Sequence, residues 1–310
     1  MLSHVPVMLD QVLGLLDPQP GETYLDCTAG LGGHAAAIAE RVGPTGTVIL
    51  NDLDQGNLDR AAERVRAVDV GVGGPTVHAW QGGFAEAPGR AAREGIRVDM
   101  VLADLGFAST QIDDPERGLS FRADGPLDMR FDLSGPVTAA DLVNEADEDE
   151  LARILREYGE EKMARRIARK LVESRESGPI RTTSRLAEVV RGAAGSRRGR
   201  IDPATKSFQA LRIAVNDELG QLDALLKAIR RGADGAGWLA PHARVAILAF
   251  HSLEDRSVKQ AFAELDGQGL ARRLTRKPIT GSDAEIEKNR RARSARLRAI
   301  RLTGGGSGSD

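Results

Sequence analysis

The chain predicts an α/β fold, a parallel sheet covered on both faces by helices and interrupted by a smaller helical insertion. Three observations carry this. Short apolar strands alternate with helical segments through the first hundred residues, a glycine-rich turn follows the first strand, and one more apolar strand returns after a long helical interruption.

Taken in order, "TYLDC", "TVILND", "TVHAWQ" and "VDMVLADL" are short and apolar and read as strands, with helices expected from near Gly33, Gln55 and Phe84 between them. Such a βαβ series implies parallel strands buried on both sides. The pattern stops near Asp113, where "IDDPERGLSFRADGPLDMRFDLSGP" is rich in Pro and Gly and is expected to form an extended, functional loop. A helix then opens at Asp147, with capping-box spacing to Glu150 and Leu151, Ile154, Leu155 and Tyr158 as its buried stripe. Another follows Gly159, burying Ala164, Ile167, Ala168 and Leu171 and leaving Arg165, Arg166, Arg169 and Lys170 largely on the other faces. A single helix is expected from residue 203 to about 230, where Phe208, Leu211, Val215, Leu219 and Leu222 recur at helical spacing. "RVAILAF" (residues 244–250) resumes the sheet, and Ser252 with Asp255 reads as the capping pair of the next helix. The expected domains are a discontinuous core of residues 1–112 and 209–302, an inserted loop and helical unit of residues 113–208 that recognises substrate, and a Gly/Ser-rich disordered tail of residues 303–310.

Net charge is only -2, but the charge is blocked: residues 99–150 carry fourteen acids against three bases, residues 151–200 fourteen bases against six acids, and residues 270–302 eleven bases against three acids. Basic stretches around Arg165, the "GSRRGR" loop of residues 195–200 and "NRRARSARLR" of residues 289–298 suit RNA phosphates. One cysteine, Cys27, excludes an internal disulfide framework and a cysteine zinc cluster. Five histidines without an HxxxH or HExxH pair predict no catalytic metal. No apolar run approaches the ~20 residues that span a bilayer, so a cytoplasmic protein is expected.

Gly30, Gly32 and Ala35 satisfy GxGxxG/A, and Asp52 follows at the end of the second strand, where its carboxylate suits a ribose diol. That spacing fits a nicotinamide dinucleotide and S-adenosylmethionine alike, while a Walker A loop is absent from the sequence. Asp26 and Asp104, at the ends of the first and fourth strands, tilt the reading toward a cationic sulfonium, since a pyrophosphate beside Asp26 would be repelled. Cys27 lies inside the turn, which disfavours covalent addition to a pyrimidine ring and favours an exocyclic amine as methyl acceptor. Asp104, Ser109 and Gln111 are candidates to accept the amine proton or orient the base, and Phe107 to stack on it.

Together, "HVPVMLDQVL", "LDCTAGLGGHA", "DLGFASTQIDDPERGLSFRADGPLDMRFD", "YGEEKMARRIARKLV", "TKSFQALRIAVNDEL", "FHSLEDRSVK" and "RARSARLR" resemble the RsmH (MraW) family over nearly the whole chain. The resemblance implies a class I S-adenosylmethionine-dependent methyltransferase that modifies N4 of a cytidine in the decoding region of 16S ribosomal RNA, acting on the small ribosomal subunit. By position it assigns cofactor contacts to Gly32, Gly33 and His34, to Asp52 at the ribose, Phe84 near the adenine, and Asp104 and Gln111 at the methionine end. A ribosomal subunit as substrate gives a purpose to the basic patches read from charge, including Arg165, Arg166, Arg169, Lys170, Arg291 and Arg293, as RNA contacts. Two competing expectations are an NAD(P)-dependent oxidoreductase, from the glycine turn and Asp52, and a non-catalytic RNA-binding or ribosome-assembly factor, from the basic segments.

Overall fold

The computed structural model describes residues 6–69, 73–106, 109–194, 202–235 and 237–304. Phe107, the loop of residues 195–200 and residues 305–310 of the tail lie outside that set, as does the side chain of Ser109. The chain divides into two compact units, Met1–Gly106 with Leu219–Asp310, and Phe107–Glu218.

The first unit is built on an eight-stranded sheet: β1 (Thr23–Asp26), β2 (Thr47–Asp52), β3 (Thr76–Gln81), β4 (Val98–Asp104), β5 (Leu239–Ala249), β6 (Ala271–Arg273), β7 (Ile279–Thr280) and β8 (Arg296–Leu302). Its order is β3-β2-β1-β4-β5-β8-β6, with β7 pairing β8. Strands β1 to β5 run parallel, while β8 lies antiparallel between β5 and β6. Crossover helices α2 (Gly33–Val42), α3 (Gln55–Arg66) and α4 (Ala87–Arg93) join the first four strands, and α1 (Leu9–Leu16) precedes them.

Period-two alternation sorts the strand residues between two cores. Leu25, Ile49, Val101 and Ile247 pack on one face of the sheet, and Tyr24, Leu50, Leu102 and Leu248 on the other, against residues of α1, α2 and α3. Continuing that alternation by one step places Asp26, Asp52, Asp104 and Phe250 on the α2 side, at the carboxyl ends of four neighbouring parallel strands. Apolar patterning thus aims the carboxylates as it builds the core.

Strands β6, β7 and β8 go beyond the sequence expectation, which read residues 289–298 as a basic surface segment. Arg298 is buried in β8, where its guanidinium meets Asp255 Oδ1 at 2.7 Å and Oδ2 at 3.2 Å; Arg296 Nη1 adds a contact at 3.1 Å. Burial alone would raise the Asp255 pKa, but the two arginines hold it below the ordinary carboxylate value. Asp255 is therefore not the cap of α12 (Ser252–Gly267). His251 is the N-cap, and Glu254 answers it by accepting from the His251 N–H at 3.2 Å.

The helix expected over residues 203 to about 230 is two helices, α10 (Ala204–Asn216) and α11 (Glu218–Ala233), broken at Asp217 with φ 47°. The apolar period continues across the break, but Phe208 and Leu211 enter the core of the second unit whereas Leu222 and Leu225 enter the sheet's. Periodicity cannot tell one core from the other.

The second unit holds α5 (Ser109–Asp113), α6 (Ala139–Glu145), α7 (Glu148–Glu157), α8 (Ala164–Glu176), α9 (Thr183–Ala194) and α10. Leu151, Ile154, Leu155, Ile167 and Leu171 form its centre, on the faces the sequence assigns. Asp147 caps α7 by accepting from Glu150 N–H at 2.7 Å, but Glu150 turns its carboxylate to Arg153, so only the forward half of the expected box forms. The loop between residues 113 and 138 is pinned rather than loose: Arg117 donates to the Phe131 carbonyl at 2.7 Å, and Asn216 brackets Met129 O and Phe131 N at 2.8 and 2.7 Å. No described helix is long and apolar enough to cross a membrane.

Candidate active site

The turn from β1 into α2 is held by carboxylates and closed by glycines. Asp52 accepts from Gly30 N–H at 2.8 Å and from Asp54 N–H at 2.9 Å, so one side chain fixes both the turn and the entry to α3. Gly30 and Gly32 take φ of 52° and 72°, left-handed values that strain other residues. A Cβ on Gly32 would stand 2.8 Å from Ala61 Cα, and one on Gly33 would stand 2.5 Å from Pro6 Cγ. Those two glycines therefore admit α3 and the amino-terminal segment. Asn51, which opens the "NDLD" stretch and has no role assigned from the sequence, is buried and donates to the Cys27 and Gly82 carbonyls at 3.1 and 3.0 Å, tying the turn to the loop after β3. Phe84 sits half-buried in that loop, packed on the core.

Asp26 is buried beneath the turn, taking the Tyr24 hydroxyl at 2.9 Å and Thr28 N–H at 3.2 Å. Burial, aided by the neighbouring negative charges of Asp104 and Asp52, pushes its pKa up to about 7 in spite of those two hydrogen bonds. Burial raises the Asp52 pKa as well. Three acids thus share one low-dielectric face. Thr28 extends the linkage, because its hydroxyl accepts from Asp104 N–H at 2.7 Å.

His34, in the first turn of α2, is buried, and burial lowers its pKa, so the ring is neutral at pH 7. Its Nε2 lies 2.9 Å from the Val7 carbonyl, which can only accept, so the ring proton sits on Nε2. The Nδ1 lone pair remains, 3.9 Å from Asp104 Oδ2 and beyond direct hydrogen-bond reach. Two proton acceptors, Nδ1 and the Asp104 carboxylate, consequently stand side by side.

Of the sequence-predicted residues, the first unit brings together Gly32, Gly33, His34, Asp52 and Asp104. Gln111 lies buried in α5 of the second unit. Arg165, Arg166, Arg169 and Lys170 are exposed on α8, where Arg165 approaches Asp149 at 3.8 Å, Arg169 approaches Glu148 at 3.6 Å and Lys170 approaches Glu173 at 3.2 Å. Arg293 is exposed in the turn Arg290–Arg293, whereas Arg291 is half-buried with its guanidinium over the Phe250 ring.

These residues fit the sulfonium cofactor better than a dinucleotide. A face carrying Asp26, Asp52 and Asp104 attracts a cation and an amino group and repels a pyrophosphate. The Asp52 carboxylate, at the end of β2 beside the turn, is an acceptor of the kind a ribose hydroxyl requires.

The family model described as the MraW methylase family matches residues 1–303. Curated relatives named ribosomal RNA small subunit methyltransferase H are similar throughout. That of Symbiobacterium thermophilum is 44% identical over 316 residues, spanning 96% of each chain. That of Acidobacterium capsulatum is 45% identical over 299 residues, covering 96% of this chain and 97% of its own. The Sorangium cellulosum relative is 46% identical over 305 residues, covering 98% and 92%. With its parallel sheet closed by an antiparallel strand and its acid-lined glycine turn, the chain belongs to the MraW methylase family and has the class I methyltransferase fold.

Proposed function

We propose that this S-adenosylmethionine-dependent methyltransferase acts on 16S RNA of the small ribosomal subunit and methylates N4 of a cytidine in the decoding region. The subunit follows from what the curated relatives are named. One structural observation supports an amine over a ring carbon: the acceptors and the thiol of Cys27 lie on opposite faces of the sheet. Cys27 packs in the core opposite Asp104 and His34, and burial pushes its thiol far above the ordinary range. It is no nucleophile for addition to a pyrimidine ring.

An exocyclic amine needs no covalent intermediate, only an acceptor for its N–H while nitrogen becomes a donor. Bound S-adenosylmethionine supplies an electrophilic methyl group. Asp104 and His34 Nδ1 would accept hydrogen bonds from the amine, and one of them would take the single proton that N-methylation releases; Asp52 would hold the ribose, Phe84 the adenine, and the backbone of Gly32 and Gly33 the methionine end, while Gln111 keeps the cofactor role the resemblance implies. Ser109 keeps the role, accepting the amine proton or orienting the base, read for it from the sequence. The second unit recognises the RNA, with Arg165, Arg166, Arg169 and Lys170 supplying positive charge for phosphates; Arg293, in the first unit, supplies a further charge.

Incubation with labelled methyl donor and small subunits lacking the modification, followed by nucleoside chromatography, tests this. Label in N4-methylcytidine is expected. Label in 5-methylcytidine would refute the amine chemistry, and unlabelled RNA would refute the substrate.

A further inference from the structure

The carboxyl edge of the sheet holds a second feature besides the acids. Phe250 is the first residue beyond β5, two positions after Leu248, which is in register with Asp104. Alternation puts its ring on the same sheet face as the Asp104 carboxylate, half-buried against the core there. Arg291 reaches across from the turn before β8 and lays its guanidinium carbon 5.2 Å from the ring centroid. Gly106, two residues past Asp104, takes φ 105°, and a Cβ there would stand 3.7 Å from the Phe250 ring and 3.9 Å from Arg291 Nη2. The charge of Arg291 is also felt at His34. Aromatic ring, guanidinium, acid and imidazole therefore form one neighbourhood.

A guanidinium backed by an aromatic ring is held flat, and its outer plane is a surface on which an unstacked base can lie. A surface lysine-like role in neutralising phosphate needs neither the ring nor the half-burial. We infer that Phe250 and Arg291 form the platform for the target base, Phe250 backing the guanidinium and Arg291 stacking on the extruded pyrimidine so that its amine faces Asp104. This rests on the RNA-base reading proposed above and assigns Arg291 to base stacking rather than to phosphate contact.

Arg291→Lys, which keeps the charge and removes the plane, separates the two roles. Three measurements serve: S-adenosylmethionine affinity by calorimetry, kcat/KM on unmodified small subunits, and fluorescence quenching of a short RNA bearing pyrrolocytosine, added to protein saturated with S-adenosylhomocysteine. Wild-type protein is expected to quench the probe. Arg291→Lys and Phe250→Leu are expected to lose most of that quenching and about tenfold or more in kcat/KM, with cofactor affinity unchanged within about twofold. Quenching and rate retained by Arg291→Lys would overturn the platform, as would a wild-type protein that leaves the probe bright. Quenching that is lost in Arg291→Lys, from a wild-type protein that does not label subunits, would sustain the platform and remove the ribosomal substrate instead.

Discussion

Asp26 gives the sharpest pH dependence. Its carboxyl titrates near 7 in the folded protein against 3.8 for the free side chain. Because the folded value is the higher, the charged form opposes folding. Stability should fall as pH rises from about 4 to about 7 and then level off. A cation at the site reverses the preference, since it favours the carboxylate. At pH 6 roughly nine-tenths of Asp26 is protonated and at pH 8 roughly one-tenth, so removing that proton should weaken S-adenosylmethionine binding about tenfold at pH 6, near 1.4 kcal/mol. Calorimetry at both pH values, in buffers of different ionisation enthalpy, reads the affinity and the proton released. Asp26→Asn is the control: its amide oxygen still accepts from Thr28 N–H, the Tyr24 hydroxyl can turn to accept from its amide nitrogen, and the ligand's own amino group titrates identically against both proteins. The same ratio of affinities between pH 6 and pH 8 in wild type and Asp26→Asn would refute the linkage to Asp26.

Asp255→Ala should cost about 3–5 kcal/mol in urea unfolding, because it leaves Arg298 buried and charged; a loss below about 1 kcal/mol would contradict the buried pair. Gly32→Ala combines a left-handed backbone with collision at Ala61 and should destabilise by about 1–3 kcal/mol while weakening cofactor binding, as thermal melts and titration would show. Replacing Arg165 and Arg169 by Gln should weaken subunit binding at low salt and reduce the slope of log affinity against log salt; an unchanged slope would exclude α8 from the RNA contact.

The sheet was legible wherever burial on both faces leaves an apolar run, as in β1, β2, β4 and β5. β8 was not, because "RLRAIRL" hides a buried arginine whose partner, Asp255, lies 43 residues earlier; a local window sees charge and reads solvent. The break at Asp217 escaped for a related reason, the helical period being indifferent to which core it serves. At the candidate site, the glycine turn with Asp52 and Asp104 could be read because each acid ends an apolar strand. Asn51 and the Phe250–Arg291 pair could not, since their meaning resides in partners brought close only by strand order. Even a correct spacing misled at Ser252 and Asp255, where His251 and Glu254 hold the capping positions instead.

Strand β8 has a consequence for synthesis. It is made after both of the strands it separates, so on an emerging chain β5 and β6 wait with bare hydrogen-bonding edges until Arg296–Leu302 clears the exit tunnel. A nascent protein lacking those seven residues is missing an interior plank rather than a tail. Competence therefore waits on Arg296–Leu302, and premature stops shortly upstream should yield sticky, misassembled chains rather than trimmed enzymes.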